Sequence, residues 1–292
     1  MSFSTCKPTA CLILAFASAG HVQAQEKTIR LGMAKTFVAE RPKGFIDIAT
    51  GEFKDVLKKT TGLNGNLDSK NDAIEVADKL AKKQVDFGIF HAHEFAWAQK
   101  KHPGLEALLL APGKYRLERA YLIVHKTDAA KGIGDLAGKK LDVAEGTSEP
   151  CRLFLNKLCQ DQAKKAPMAF FAAVAKSESP KDALDEVARG NVQATVVDRT
   201  VLEFYREVRG PVFDKNLRIL AESPSFPPAV IAWQKGGVDD ATLSQFRDGL
   251  LKAHTIADGR DMMKTWNIEM FETPAKEYTG QLTELLKAFP SP

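Results

Sequence analysis

VDFGIFHAHEFAWAQ, residues 85–99, decides how this chain is to be read. A short apolar run ends in His91, His93 and Glu94, and a helical pattern follows at once. Such a run is a buried strand, and a strand handed directly to a helix is half of an α/β unit. The polar residues at the handover admit three chemistries. His91 and His93 stand two apart, so on a continuing strand they face one side. With Glu94, His102 or His125 they would make a three-ligand metal site. His93 and Glu94 would be a base with its orienter only if their side chains met, and neighbours on an extended segment point to opposite faces. The third reading is the floor of a pocket that binds without reacting.

The strand-then-helix pattern recurs on both sides of this stretch. TIRLGMA (28–34) reads as a strand, GEFKDVLKKTTG (51–62) as an amphipathic helix stopped by Gly62, and NGNLDS (64–69) as a second strand. DAIEVADKLAKK (72–83) is a helix that Asn71 can cap. LEALLLA (105–111) and RAYLIVH (119–125) are strands, and then the alternation restarts. KLDVA (140–144), MAFFAAVA (168–175), VQATVV (192–197) and LRILA (217–221) read as strands. CRLFLNKLCQ (151–160), KDALDEVARG (181–190, with Ser179 and Pro180 opening it) and TVLEFYREV (200–208) read as helices. PAVIAW (228–233) is a last strand, followed by two helices, the second opened by Thr273 and Pro274. This is an α/β pattern, occurring twice, and each unit should be a mainly parallel sheet flanked by helices. The tail after Phe226 cannot build a core alone, so it should return to the first unit. The expected division is lobe I over 25–117 plus 226–292 and lobe II over 118–225, with two hinge crossings between them.

Ligands of open α/β sheets bind outside the carboxyl ends of the strands. Those ends supply Thr36 and Phe37, then His91, His93 and Glu94, then Thr147 and Ser148, then Asp198. All eight are candidate ligand contacts. Trp97, Tyr115, Tyr121 and Phe226 are expected to pack. Asp198 either meets a ligand, caps the following helix, or pairs with Arg199. TSEP (147–150) is a helix cap with or without a ligand contact.

The first 24 residues carry one charge, Lys7, and an apolar run, ACLILAFA (10–17), before a small-residue cleavage pattern at Val22 and Ala24. They read as a signal peptide cleaved on export, too short in its apolar part to span a bilayer. A periplasmic location is expected. Formal net charge is +4, with lysines and arginines scattered and no basic stripe interleaved with aromatics, so no nucleic acid is expected as partner. Cys151 and Cys159 sit on one helix, about 12 Å apart at ~1.5 Å per residue, beyond the ~7 Å that a disulfide spans. No Gly-x-Ser-x-Gly, phosphate-cradling loop or dinucleotide fingerprint is present, so no enzyme and no cofactor are expected.

Taken in order, LGMA, FKDVLKKTTG, AKKQVDFGIFHAHEFAWA, YLIVHKTDAAKGIGDLAGKKLDVAEGTS, ALDEVARGNVQATVVD and SPSFPPAVIAW carry a resemblance. The chain resembles the type II periplasmic solute-binding proteins, and within them the phosphate/phosphite/phosphonate-binding branch that serves ABC transporters. The resemblance implies the two-lobed type II architecture, a small oxyanion held between the lobes, and a membrane permease as partner of a monomer. It also implies that Thr147 and Ser148 grip the anion at a helix start, and that Asp198 meets a ligand amine or hydroxyl. Two residues depart from the family's Ser-x-Ser-Gly pattern: Glu149 stands where glycine is expected, and Pro150 removes an N–H. The alternatives left beside this reading are a metal-binding or sensor-feeding protein using His91, His93 and Glu94, and, less favoured, a hydrolase.

Overall fold

The computed structural model describes residues 1–2, 27–39 and 43–291. The leader expected over 1–24 lies, from residue 3 onward, outside the described residues. The first sheet draws on β1 (Thr28–Met33), β2 (Asn64–Asp68), β3 (Phe87–Phe90) and β4 (Leu105–Ala111), with α1 (Lys43–Thr61), α2 (Ala73–Ala81) and α3 (Ala92–Lys101) between them. The second is built from β5 (Ala120–His125), β6 (Lys140–Asp142), β7 (Ala173–Ala175), β8 (Ala194–Asp198) and β9 (Leu217–Glu222). Its helices are α4 (Glu149–Ala163), α5 (Pro167–Phe170), α6 (Pro180–Ala188) and α7 (Arg199–Asn216). The chain then returns through β10 (Ala229–Gln234), α8 (Asp240–Leu251), α9 (Ala257–Thr265) and α10 (Glu277–Ala288). Among the described residues no helix is long and apolar enough to cross a membrane.

The strand orders are β2-β1-β3-β10-β4 and β7-β6-β8-β5-β9. In both sheets the strand second from one edge is antiparallel to its two neighbours. Those strands, β10 and β5, are the ones reached by crossing from the other sheet. The remaining strands of each sheet run one way, which is the mainly parallel arrangement expected. The tail does return to the first sheet: β10 fills the slot between β3 and β4. The two crossings also touch. Glu118 and Phe226 exchange backbone hydrogen bonds, at 2.9 and 2.7 Å, as a short antiparallel ribbon.

Both faces of the first sheet are covered. On one, Phe53, Val56 and Leu57 of α1 meet Phe246 and Leu250 of α8 and Met262 of α9. On the other, Val76 and Leu80 of α2, Phe95 of α3 and Leu282 of α10 form a cluster that continues through Phe226 into the second sheet. Local signals explain most element boundaries. Gly62, at φ +71°, ends α1 in the left-handed conformation. Ser179 accepts from the Asp182 N–H, with Pro180 at the first turn of α6, as expected. Asn71 is not the cap of α2. Asp72 is, in a reciprocal capping box with Glu75, while Asn71 donates to Asp68.

The expected strand at 168–175 divides into the single turn of α5 and the three residues of β7, because Pro167 fixes a helical first turn. Thr273 does not cap α10 either. Glu272 is bridged to Leu110 of β4, which keeps the chain extended, and the helix begins only at Glu277. Cys151 and Cys159 are both buried, free thiols.

Where α8 crosses α1, Gly249 is the point of closest approach. A methyl group there would collide with Thr61 Cγ2 and sit 2.8 Å from the Thr60 carbonyl oxygen. Gly249→Ala is therefore expected to destabilise by about 1–3 kcal/mol. Gly280, exposed on α10 with open space around it, is the control. There, Gly280→Ala should stabilise by up to about 1 kcal/mol through helix propensity alone. Urea denaturation of the two variants measures the contrast.

Candidate functional site

The carboxyl ends of β1, β3, β6 and β8 face one another across a cleft of about 300 Å³ lined from both sheets. Each end hands over to a helix or helical turn that opens on the cleft. After β1 comes the 3-10 turn Lys35–Phe37; after β3, α3 with His91 as N-cap; after the loop following β6, α4 with Ser148 as N-cap; after β8, α7 with Asp198 as N-cap. Three helix N-termini thus turn their positive ends toward one space.

Of the eight residues expected to meet a ligand, Thr36, Phe37, His91, Thr147, Ser148 and Asp198 line this cleft. His93 and Glu94 do not. Helix α3 starts at Ala92, so residues 91–93 are not the extended segment that the i, i+2 argument assumed, and the helical turn carries His93 and Glu94 inward. They are 1% and 2% exposed.

Glu94 instead joins the two first-sheet loops. Its Oε2 accepts from the His91 backbone N–H at 3.0 Å, and its Oε1 accepts from the Thr36 hydroxyl at 2.8 Å. Burial pushes its carboxyl up to about 7. The two donors oppose that shift, and the charges of Glu149 and Asp72 add to it. Above it the rings of Phe37 and His91 stack at 3.9 Å and 9°, and His91 and His93 lie parallel at 5.8 Å. Trp97 and Phe226 meet His93 edge-on. Burial pulls His91 down to about 3 and His93 well below its ordinary value, the latter helped by its neighbour. The floor is therefore the neutral imidazole of His91 stacked on Phe37. Among the described residues no three His, Cys, Asp or Glu side chains are grouped to hold a metal ion.

On the opposite wall Gly146, at φ +73°, turns the loop after β6 so that Thr147 points inward. Thr147 is 8% exposed, and its hydroxyl has no partner among the described residues; nor does Nε2 of His91. A buried hydroxyl left alone costs about 1–3 kcal/mol, so both atoms await a group from a ligand or solvent. The N–H of Thr147 is turned back on Ala144, and its carbonyl accepts from Arg152 Nε. The Ser148 hydroxyl lies 3.3 Å from Cys151 Sγ and within hydrogen-bonding reach of Asp198.

Asp198 caps α7 by accepting from the Val201 N–H at 2.9 Å, and burial raises its carboxyl above the ordinary range. It does not pair with Arg199, whose guanidinium lies 4.3 Å from the Tyr115 ring centre. Sequence reasoning missed Glu118, at the crossing. It accepts from the Arg119 and Arg199 N–H groups and from Thr200, and burial, then Asp198, raises its carboxyl. A lone acid between arginines in a connector gave no signal. Arg116 also lines the cleft, paired with Glu272.

His91, His93 and Glu94 together give a pH test. Between about pH 4.5 and 6.5 the unfolded imidazoles of His91 and His93 take up protons that the folded ones refuse, so stability falls as pH falls. Glu94 acts the other way. Its folded carboxyl holds a proton that the unfolded one releases above about 4.5, so its contribution is complete below 4.5 and lost as pH rises through about 7. Two protons against one leave a net acid-side slope of about 1.4 kcal/mol per pH unit. Glu94→Gln should steepen the acid-side fall in stability by about 1 kcal/mol per pH unit, as read from urea midpoints at pH 5, 5.5, 6 and 6.5.

The comparisons with known proteins agree with this geometry. Residues 46–278 match the family described as ABC transporter, phosphonate, periplasmic substrate-binding protein. No curated protein sequence matches the chain. Among solved structures, the binding protein component of an ABC phosphonate transporter from Pseudomonas aeruginosa (PA3383) is similar at TM-score 0.59 and 14% identity, over 89% of this chain and 86% of that one. PhnD1 from Prochlorococcus marinus, in complex with methylphosphonate, is similar at TM-score 0.59 and 13% identity, over 89% and 97%. XAC2383 from Xanthomonas citri, bound to ATP, is similar at TM-score 0.59 and 17% identity, over 90% and 97%. At these identities the structures establish the fold. The sequence match covers most of the chain, and with it the chain belongs to the family of periplasmic phosphonate substrate-binding proteins of ABC transporters.

Proposed function

We propose that the chain captures a small oxyanion of the phosphonate, phosphite or phosphate class between its two sheets and presents it to an ABC permease. The observation that carries this reading is the unpartnered, buried hydroxyl of Thr147 at the N-terminus of α4, facing the neutral His91 floor. An anion placed there meets Thr147, Ser148 and the positive end of a 15-residue helix, with no like charge on the His91 floor, while Glu149 and Asp198 flank the grip. Proline at position 150 leaves this helix start with one N–H fewer, so the two hydroxyls carry more of the grip. Phe37 and His91 form the floor, and Thr36 contributes through Glu94. His93 and Glu94 act from behind it. Asp198, beside Ser148, and Glu118 would accept from an amine or hydroxyl carried close to the anion.

In this reading the lobes divide at 117/118 and 225/226, and the crossing ribbon is the hinge. The chain is exported by the leader over residues 1–24 and works as a monomer. It performs no chemistry on what it holds.

Titration calorimetry and thermal shift with phosphate, phosphite, methylphosphonate and 2-aminoethylphosphonate test the proposal. A ligand at a hundred times its Kd should add about 2.7 kcal/mol to stability. Thr147→Ala and Ser148→Ala should each weaken the best oxyanion about 10- to 100-fold, as expected for hydrogen bonds to a charged group. Asp198→Asn should weaken 2-aminoethylphosphonate and spare methylphosphonate. If the double variant keeps full affinity, the grip is elsewhere. Turnover of any of these compounds, lost in His91→Ala, would replace binding by catalysis.

A further inference from the structure

On the first-sheet side, the lining of the cleft includes a cluster of hydrocarbon side chains that form an apolar recess. Met33 at the end of β1, Phe45 and Phe53 on α1, and Trp266, Ile268 and Phe271 after α9 line it. Met33, Phe53 and Phe271 belong to the core between the first sheet and α1, and Trp266 and Ile268 pack against that core. The recess is thus a place where the core of the first lobe opens on the cleft. Phe45 meets Trp266 edge-on at 6.5 Å. The indole N–H of Trp266 donates to the Ala49 carbonyl at 3.2 Å, so the ring is held in place and its polar atom is already used. The acids of the cleft lie elsewhere: Glu118 on the crossing, Glu149 at the start of α4 and Asp198 at the end of β8.

These walls do not suit an inorganic oxyanion or a one-carbon phosphonate. A tetrahedral oxyanion displaces roughly two or three waters of about 30 Å³ each, a minor part of a cleft of about 300 Å³. All six wall residues belong to the first-sheet side, so the shape of the recess does not depend on where the second lobe sits. Water would be left against aromatic and aliphatic surface, which is unfavourable in proportion to area. A ligand that carries its anion on an apolar group removes that water.

Resting on the oxyanion reading above, we infer that the ligand is an organic oxyanion with an aryl or branched-alkyl substituent. The anion sits at Thr147 and Ser148, and the substituent lies among Phe45, Phe53 and Trp266. The aromatic walls favour a ring, through edge-to-face and offset contacts.

Calorimetric titration of the mature protein with phosphate, methylphosphonate and phenylphosphonate tests this. Phenylphosphonate should bind at least about tenfold more tightly than methylphosphonate. Trp266→Ala, or Phe45→Ala if the first is unstable, should erase most of that ratio and leave methylphosphonate within about twofold. If methylphosphonate and phenylphosphonate bind equally, the oxyanion reading stands and this inference falls. A ratio that survives in both variants also overturns it, because the ring is then held elsewhere. If none of the three binds, the oxyanion reading fails and takes this inference with it.

Discussion

The carboxylate of Glu94 is the constraint on which the cleft depends. It is buried, yet it accepts from the backbone at the start of α3 and from the hydroxyl that follows β1. A buried carboxyl without those donors would be strongly unfavourable. With them it fixes two loops whose strands are neighbours but whose connection runs through α1, β2 and α2. The Phe37–His91 stack stands on that link. Movement of either loop would break both the stack and a buried hydrogen bond, so the first-lobe side of the cleft is preformed and not assembled around a ligand.

The electrostatics divide in the same way. On the first lobe, burial leaves imidazoles without charge and a carboxyl held far above its ordinary value, so the floor presents dipoles and ring faces. On the second lobe and the crossing, Ser148, Asp198 and Glu118 gather around the N-termini of α4 and α7, where backbone N–H groups offset acidic charge. The cleft therefore has a neutral wall and a polar wall, and the apolar recess extends the neutral one. Family membership supplies the general task; this division of surfaces is the ground for the inference about the ligand's substituent.

The sequence made the alternation of strands and helices legible because apolar runs and caps are local signals. Ser179 with Pro180 and the stop at Gly62 are of this kind. It also placed six candidate residues on the lining, since strand ends in a parallel sheet converge whatever the side chains are. It misplaced His93 and Glu94 because the start of α3 at Ala92, a boundary invisible to periodicity, reverses which way their side chains face. Thr273 misled for a different reason: the chain there is held by a bridge to β4, a partner more than 150 residues away in sequence. Glu118 and the recess at Phe45 and Trp266 were unreadable because each is assembled by tertiary packing from segments with no shared pattern.

The exchange of strands between the sheets has a consequence for biogenesis. β3 and β4 follow each other in the chain but are separated in the sheet by β10. All strands of the second sheet are available once residue 222 has emerged, whereas the first still has an open slot until residue 234 arrives. In a chain delivered from its N-terminus, the later-made lobe is the earlier one to close. The half that begins first spends the interval with two unpaired strand edges, β3 and β4, exposed to any wrong neighbour. The order of emergence thus puts the burden of avoiding misassembly on the lobe that carries the preformed floor.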